Sequence, residues 1–207
     1  RRHIKRNVSR YWLFKSGKRN NLNLNNNIIA GTDEVGRGCL AGPVVAAAVI
    51  LKQEIAGLKD SKKLSPRKRV LLAEEILKNS YYGYGIVDNQ KIDEINILKA
   101  SLLAMKGAIL NLPVKPNLVL VDGMYKPDLD ITMRTIIGGD SSEDVISAAS
   151  IVAKVYRDNL MIKFNEQFPN YDFISNKGYG TKKHLNSLRI HGYCEIHRKT
   201  FKGVMDR

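Results

Sequence analysis

The chain has 207 residues, 43% of them hydrophobic and 26% charged, which suits one globular domain with a proper core. Its net charge of +14 is unusual and points to a polyanionic partner, nucleic acid first and an anionic membrane surface second. Cys39 and Cys194 lie far apart, which argues against a disulfide scaffold and a CxxC zinc site and fits a reducing cytosol. No apolar run, Val44 to Leu51 included, approaches the length of a membrane span.

Residues 1–27 hold eight Lys/Arg (Arg1, Arg2, Lys5, Arg6, Arg10, Lys15, Lys18 and Arg19) and no acid. Without them 26 basic residues face 20 acidic ones, a net of +6. The segment closes on an Asn-rich stretch, Asn20 to Asn27, and its one apolar patch is Tyr11-Trp12-Leu13-Phe14. This composition predicts a flexible basic leader that orders only against a partner. An acid-free, Arg-rich start also has the look of an organelle transit peptide, although Asn rather than Ser enriches it. The first residue is Arg rather than Met, so the completeness of the N-terminus stays open.

From Ile28 onward the pattern is that of a compact domain, residues 28–207. Ile28 to Thr32 reads as a first strand and Val44 to Leu51 as a second, the latter so apolar that burial on both faces is predicted. Gly42-Pro43 marks the turn between them. Ser65-Pro66 starts a helix whose inner face is read as Val70, Leu71, Ile76 and Leu77. Tyr81 to Val87 is a third strand. Asp93 to Leu112 reads as one long amphipathic helix, with Ile97, Leu98, Leu102, Met105, Ile109 and Leu112 inward and Pro113 as its stop. Leu118 to Val121 and Ile131 to Ile137 are the fourth and fifth strands. Val145 to Phe164 is a helix whose Ser147, Ala148, Ala149 and Ser150 allow close packing on a sheet. Thr181 caps a last helix to His191, and Gly192 ends it. The order of strands and helices, with no repeat or linker, predicts an α/β sheet with helices on its faces.

Chemistry concentrates where apolar runs end. Asp33-Glu34-Val35-Gly36-Arg37-Gly38 follows directly on the first strand. Neighbouring side chains on a strand point to opposite faces, so both acids are expected to serve one site only if the backbone turns there. Gly36 and Gly38 are expected to permit that turn and to let backbone N–H groups approach a ligand, and Arg37 suits a phosphate. The fourth strand ends on Asp122-Gly123 and the fifth on Gly138-Gly139-Asp140. Acids at the carboxyl ends of strands lie where ligands gather in α/β sheets. If the four converge they repel one another, and a divalent cation with hard oxygen ligands is the usual remedy. Taken singly, each has a plainer reading: a charged turn at Asp33-Glu34, a common Asp-Gly turn at Asp122, and a helix cap at Asp140 to Glu143.

These residues resemble the motifs of the type 2 ribonuclease H family, most closely bacterial ribonuclease HII. The likeness is carried by Asp33 to Gly38, Asp60-Ser61-Lys62-Lys63-Leu64-Ser65, Leu120 to Gly123 and Gly139-Asp140. It continues through Ser147 to Lys154, Lys177-Gly178-Tyr179-Gly180-Thr181 and His197-Arg198, over roughly residues 28 to 205. The resemblance implies an RNase H-like fold, a mixed central sheet flanked by helices with a C-terminal helical region. It implies that Asp33, Glu34, Asp122 and Asp140 are the catalytic, metal-binding acids for two Mg²⁺ or Mn²⁺ ions about 4 Å apart. Gly36, Arg37 and Gly38 would read a ribose 2′-hydroxyl through backbone groups, and Tyr179 would pack against the next sugar, where a 2′-hydroxyl would intrude. Lys62 and Lys177 are candidates for phosphate contacts that position a duplex without reading its sequence.

The implied activity is an endonuclease acting on the RNA strand of RNA–DNA hybrids and on DNA duplexes containing ribonucleotides. It would cut 5′ of the ribonucleotide and leave 3′-hydroxyl and 5′-phosphate ends, in a bacterial cytoplasm, as a monomer with no obligate protein partner and no membrane. A catalytically silent nucleic-acid binder and a junction resolvase on the same fold are the competing readings. His184, His191 and His197 lie away from the acids in sequence and are read as structural or phosphate-facing.

Overall fold

The computed structural model describes residues 28–58 and 64–205. The leader, the Tyr11 to Phe14 patch and Lys62 with most of its motif fall outside them. Strand β1 is Ile29–Val35, β2 Val44–Leu51, β3 Ser80–Val87, β4 Leu118–Asp122 and β5 Thr132–Ile136. They form one mixed sheet in the order β3-β2-β1-β4-β5. β1 runs antiparallel to β2 and parallel to β4, and β4 is parallel to β5.

β2 shows why the sheet is covered twice. Val44, Ala46, Ala48 and Ile50 enter one core with α3 (Ile97–Leu110). Val45, Ala47 and Val49 enter a second with α1 (Pro66–Lys78) and α5 (Asp144–Gln167). A period of two divides an uninterrupted apolar run between two faces. A third core, including Leu40, Met161, Tyr171, Phe173, Leu188 and Ile196, lies under the C-terminal region. That region carries a 3₁₀ turn (Pro169–Tyr171), α6 (Phe173–Asn176) and α7 (Lys182–His191). Two caps act as their residues require: the Ser65 hydroxyl accepts from Lys68 N and the Thr181 hydroxyl from His184 N. Among the described residues no helix is long and apolar enough to cross a membrane.

Several expectations need correction. The helix read from Asp93 to Leu112 is two, α2 (Asn89–Ile95) and α3, because Asn96 adopts φ +69° and its side chain caps α3 by accepting from Lys99 N. Of the expected inner stripe, Met105 and Ile109 are buried, and Ile97, Leu102 and Leu112 pack partly buried against the same core. The closest contact with the sheet, however, is made by Ala104 and Ala108. Gly83 and Gly85 of β3 explain this, since a Cβ on either would meet α3 main chain, at 2.4 Å from Ala108 O and 1.9 Å from Ala104 O. Only small residues fit so close a crossing. The inner face of α1 is likewise Leu72, Ala73 and Ile76, leaving Val70 and Leu71 exposed. Ile131 and Ile137 fall outside β5, and a short α4 (Gly139–Ser142) follows it.

Candidate active site

β1 extends through Val35, so no turn separates Asp33 from Glu34. The chain turns at Gly36, which has φ +95°, while Gly38 has neither a positive φ nor an atom within 4 Å of where its Cβ would stand. The turn therefore depends on Gly36 alone. Asp33 lies on the side of β1 that meets α5, where it hydrogen-bonds Ser150, and Glu34 alternates to the other side. Asp122 is in electrostatic reach of both. Strand pairing brings it there: Thr32 is in register with Val121 across the parallel β1–β4 pair, so Asp33 and Asp122 come next.

Burial dominates the electrostatics. Asp33 is 7% exposed, and its pKa is pushed up to about 8, first by burial and then by the Glu34 carboxylate, with Asp122 adding to it. The Ser150 bond and the Glu34 amide, which donates to Asp33 Oδ1 at 2.7 Å, work the other way. Glu34 is also raised by burial, against the pull of Arg37, whose Nη1 stands 3.0 Å from Glu34 Oε1.

Asp140 sits in the first turn of α4 rather than at a strand end, and joins through its backbone: its N–H donates to Asp122 Oδ1 at 3.3 Å. A side chain on Gly139 would strike Ile146 at 2.5 Å, so glycine is what lets this turn approach Asp122 and α5. The Asp140 carbonyl accepts from the Ser147 hydroxyl, and of the plainer capping reading the structure keeps the position, since Glu143 is the N-cap residue of α5, but no side-chain cap bond. Carboxylates are the hard oxygen donors that Mg²⁺ and Mn²⁺ prefer, and the mutual repulsion of Asp33, Glu34 and Asp122 is what a cation would relieve. In this conformation no three His, Cys, Asp or Glu side chains among the described residues stand close enough to hold a metal ion. The donor chemistry fits.

Beside the acids lies a second assembly. Residues 39–41 pair with residues 178–179 and 197–198: Leu40 N donates to Gly178 O at 2.8 Å and Arg198 N to Leu40 O at 2.8 Å. Tyr179 bridges Cys39 and is 39% exposed, with Lys154 Nζ 5.7 Å from its ring centroid. Lys177 adopts φ +50°, and its ammonium bonds the Ile174 carbonyl, so this candidate phosphate contact points back to its own segment.

His184 and His197 are wholly buried. Cys194 N donates to His197 Nδ1 at 2.9 Å, which leaves the proton on His197 Nε2, 3.0 Å from His184 Nε2. His184 Nδ1 then donates to the Tyr179 carbonyl at 2.8 Å. This relay requires both rings neutral, and burial lowers both pKa values, that of His197 to about 4.

Sequence reasoning missed Ser150's contact with Asp33 and gave no role to Arg157 or Arg198. A signal existed for the first arginine: Ser150, Arg157 and Met161 recur at helical spacing on the face of α5 that packs inward, where an arginine needs a reason. Burial holds the Arg198 pKa down to about 10, which still leaves it charged at neutral pH.

Residues 30–204 match the family model for ribonuclease HII. The chain belongs to the ribonuclease HII family. The ribonuclease HII of Idiomarina loihiensis is 53% identical over 180 residues, 86% of this chain and 96% of that one. That of Thermotoga maritima is 50% identical over 179 residues, 86% of this chain and 75% of its relative. Among solved structures, ribonuclease H2 from Pyrococcus horikoshii is similar at a TM-score of 0.72 and 26% identity, covering 85% of this chain and 94% of that one. The ribonuclease HII of Archaeoglobus fulgidus, solved with PCNA, gives a TM-score of 0.63 at 29% identity, covering 79% of this chain and 87% of that one. As a ribonuclease HII the chain is a hydrolase that cleaves the RNA of RNA–DNA hybrids and cuts at ribonucleotides in DNA. Its fold is the RNase H-like fold.

Proposed function

We propose that Asp33, Glu34, Asp122 and Asp140 hold two divalent ions, Mg²⁺ or Mn²⁺, and are the catalytic residues of this nuclease. Ribonucleases H depend on divalent metal. The observation that carries the reading is Asp33, a buried carboxylate beside Glu34 and Asp122 with its pKa pushed up to about 8. A carboxylate whose charge is disfavoured first by burial and then by neighbouring carboxylates is placed to bind a cation. Bound metal would activate a water for attack on the phosphodiester and stabilise the leaving oxygen. Ser150 and the Glu34 amide orient the Asp33 carboxylate. Asp122, fixed by the Asp140 N–H, faces it from the parallel strand.

The backbone of Gly36, Arg37 and Gly38 reads the 2′-hydroxyl, and the open space beside Gly38 lets a sugar come close. Tyr179, partly exposed on the neighbouring loop, packs against the following deoxyribose. Lys177 contacts phosphate after releasing the Ile174 carbonyl, and Lys62 does so from its own motif. The cut falls 5′ of the ribonucleotide and leaves 3′-hydroxyl and 5′-phosphate ends. The enzyme acts as a monomer in a bacterial cytoplasm, with residues 28–207 as the catalytic domain and 1–27 as a basic leader that adds to nucleic-acid affinity.

The test is a DNA duplex containing one ribonucleotide, incubated with Mg²⁺ or Mn²⁺. We expect one cut at that position, stopped by EDTA and lost in Asp33→Asn. Retained cleavage in Asp33→Asn would remove these acids from the mechanism, and cutting of ribose-free branched DNA would favour a resolvase.

A further inference from the structure

Arg157 and Arg198 take no part in the chemistry above, yet they are the two largest wholly buried side chains among the described residues. A buried guanidinium is costly unless its donors are used. Here they are. Arg198 donates to the carbonyls of Gly36 (2.7 Å), Arg37 (2.8 Å) and Gly42 (3.0 Å). Arg157 donates to those of Ala41 (3.1 Å), Pro43 (2.9 Å) and Lys177 (2.8 Å).

We propose that Arg198 and Arg157 are positioning residues for substrate specificity, holding the main chain at residues 36–43 and 177 so that the N–H groups of Arg37 and Gly38 face the ribose. The inference rests on the reading that residues 36–38 sense the 2′-hydroxyl. Within a planar trans peptide the C=O and N–H point in opposite directions. Arg198 draws the carbonyls of Gly36 and Arg37 inward. The N–H groups sharing those two peptide units belong to Arg37 and Gly38, and they are turned away from the guanidinium. Both residues are exposed.

Arg157 supports the same loop from beneath. Gly36 lies against it, so that a Cβ there would stand 2.2 Å from Arg157 Nε. Through Lys177 O it also ties this loop to the segment carrying Tyr179, so one pair of side chains sets both the reader and the ring that packs on the next sugar. A planar fork with fixed donor directions can hold three carbonyls at set angles, whereas the single ammonium of lysine cannot.

The experiment is made in Asp122→Asn enzyme, to prevent turnover. Dissociation constants are measured for two duplexes that differ by one ribonucleotide, and their ratio is the specificity. Adding Arg198→Lys is expected to lower that ratio about tenfold or more, while affinity for the all-DNA duplex stays within about twofold. Arg157→Lys is expected to lower it less, and it carries the test if Arg198→Lys does not fold. Met105→Ala, in the core on the far side of the sheet, reports the effect of lost stability alone and is expected to leave the ratio intact. An unchanged ratio in the arginine variants, or an equal fall in Met105→Ala, overturns the proposal. No preference for the ribonucleotide in the Asp122→Asn parent would instead sink the reading of residues 36–38, and this inference with it.

Discussion

The two halves of the site are built on opposite electrostatic plans. At the ends of β1 and β4, Glu34 and Asp122 raise the proton affinity of Asp33 and Asp122 that of Glu34, on top of burial, with Arg37 as a partly exposed counter-charge on Glu34. A few residues further on, two buried guanidiniums are bonded to six main-chain carbonyls. The acid half is electrostatically incomplete and calls for a cation from outside. The loop half is completed by the protein's own donors, so its backbone is set before any substrate arrives. On the proposed reading, the acids can be left under tension because an exchangeable ion completes them, whereas discrimination by a single hydroxyl would need main chain held in place.

That contrast can be broken most directly at the acids. Asp122→Asn or Asp33→Asn should lower cleavage by about 10³-fold or more and leave hybrid binding largely intact. Without divalent metal and above about pH 8, where Asp33 carries its charge, Asp33→Asn should also raise the melting temperature, because it removes a buried repelling charge. A fall in melting temperature would mean that the acid half is not under tension.

The glycines sharpen the other side. Gly36→Ala meets both a positive φ and the Arg157 side chain, and should cost about 2–4 kcal/mol of stability along with activity. Gly38→Ala meets nothing, so stability should change by no more than about 0.5 kcal/mol while cleavage falls about tenfold. Urea titrations beside rate measurements would separate the two, and equal stability losses would deny the distinction.

A third expectation concerns the histidine relay behind Tyr179. The folded pKa of His197 is near 4 against an ordinary 6.5, so the unfolded chain binds protons first as pH falls. Stability is therefore full above about pH 6.5 and declines towards pH 4, with roughly 2 kcal/mol lost between pH 7 and pH 5. Denaturant midpoints at the two pH values should show this loss in the parent and a flatter response in His197→Gln. The smallest effect is expected from deleting residues 1–27, which should preserve cleavage and make the slope of log affinity against log salt shallower. An identical slope would free the leader from any role in binding.

Much of this was legible in the order of residues. Val44 to Leu51 announced a strand buried on both faces, Ser65-Pro66 and Thr181 announced helix starts, and Asp33-Glu34, Asp122 and Asp140 marked the ends of apolar runs. The break at Asn96 was not legible, because a positive φ at a non-glycine residue is selected by the packing of α2 and α3 around it. The buried faces of α1 and α3 were legible only in part, at Ile76, Met105 and Ile109. Counting large apolar residues favoured Val70, Leu71 and Leu98, whereas a crossing tight enough to rest on Gly83 and Gly85 selects alanines.

The sequence by itself determined most of the element types, the α/β class and the family, and it marked where the candidate acids stand in the chain, since each is written in local periodicity, capping chemistry or short motifs. Only the tertiary structure decided that Asp33 and Asp122 lie side by side, through the parallel register of strands far apart in the chain. It also decided that Arg157 and Arg198 are interior and spend their donors on main-chain carbonyls. Burial and long-range pairing depend on every neighbour at once, and an arginine's one-letter code reads the same whether it faces water or six carbonyl oxygens held by two such side chains.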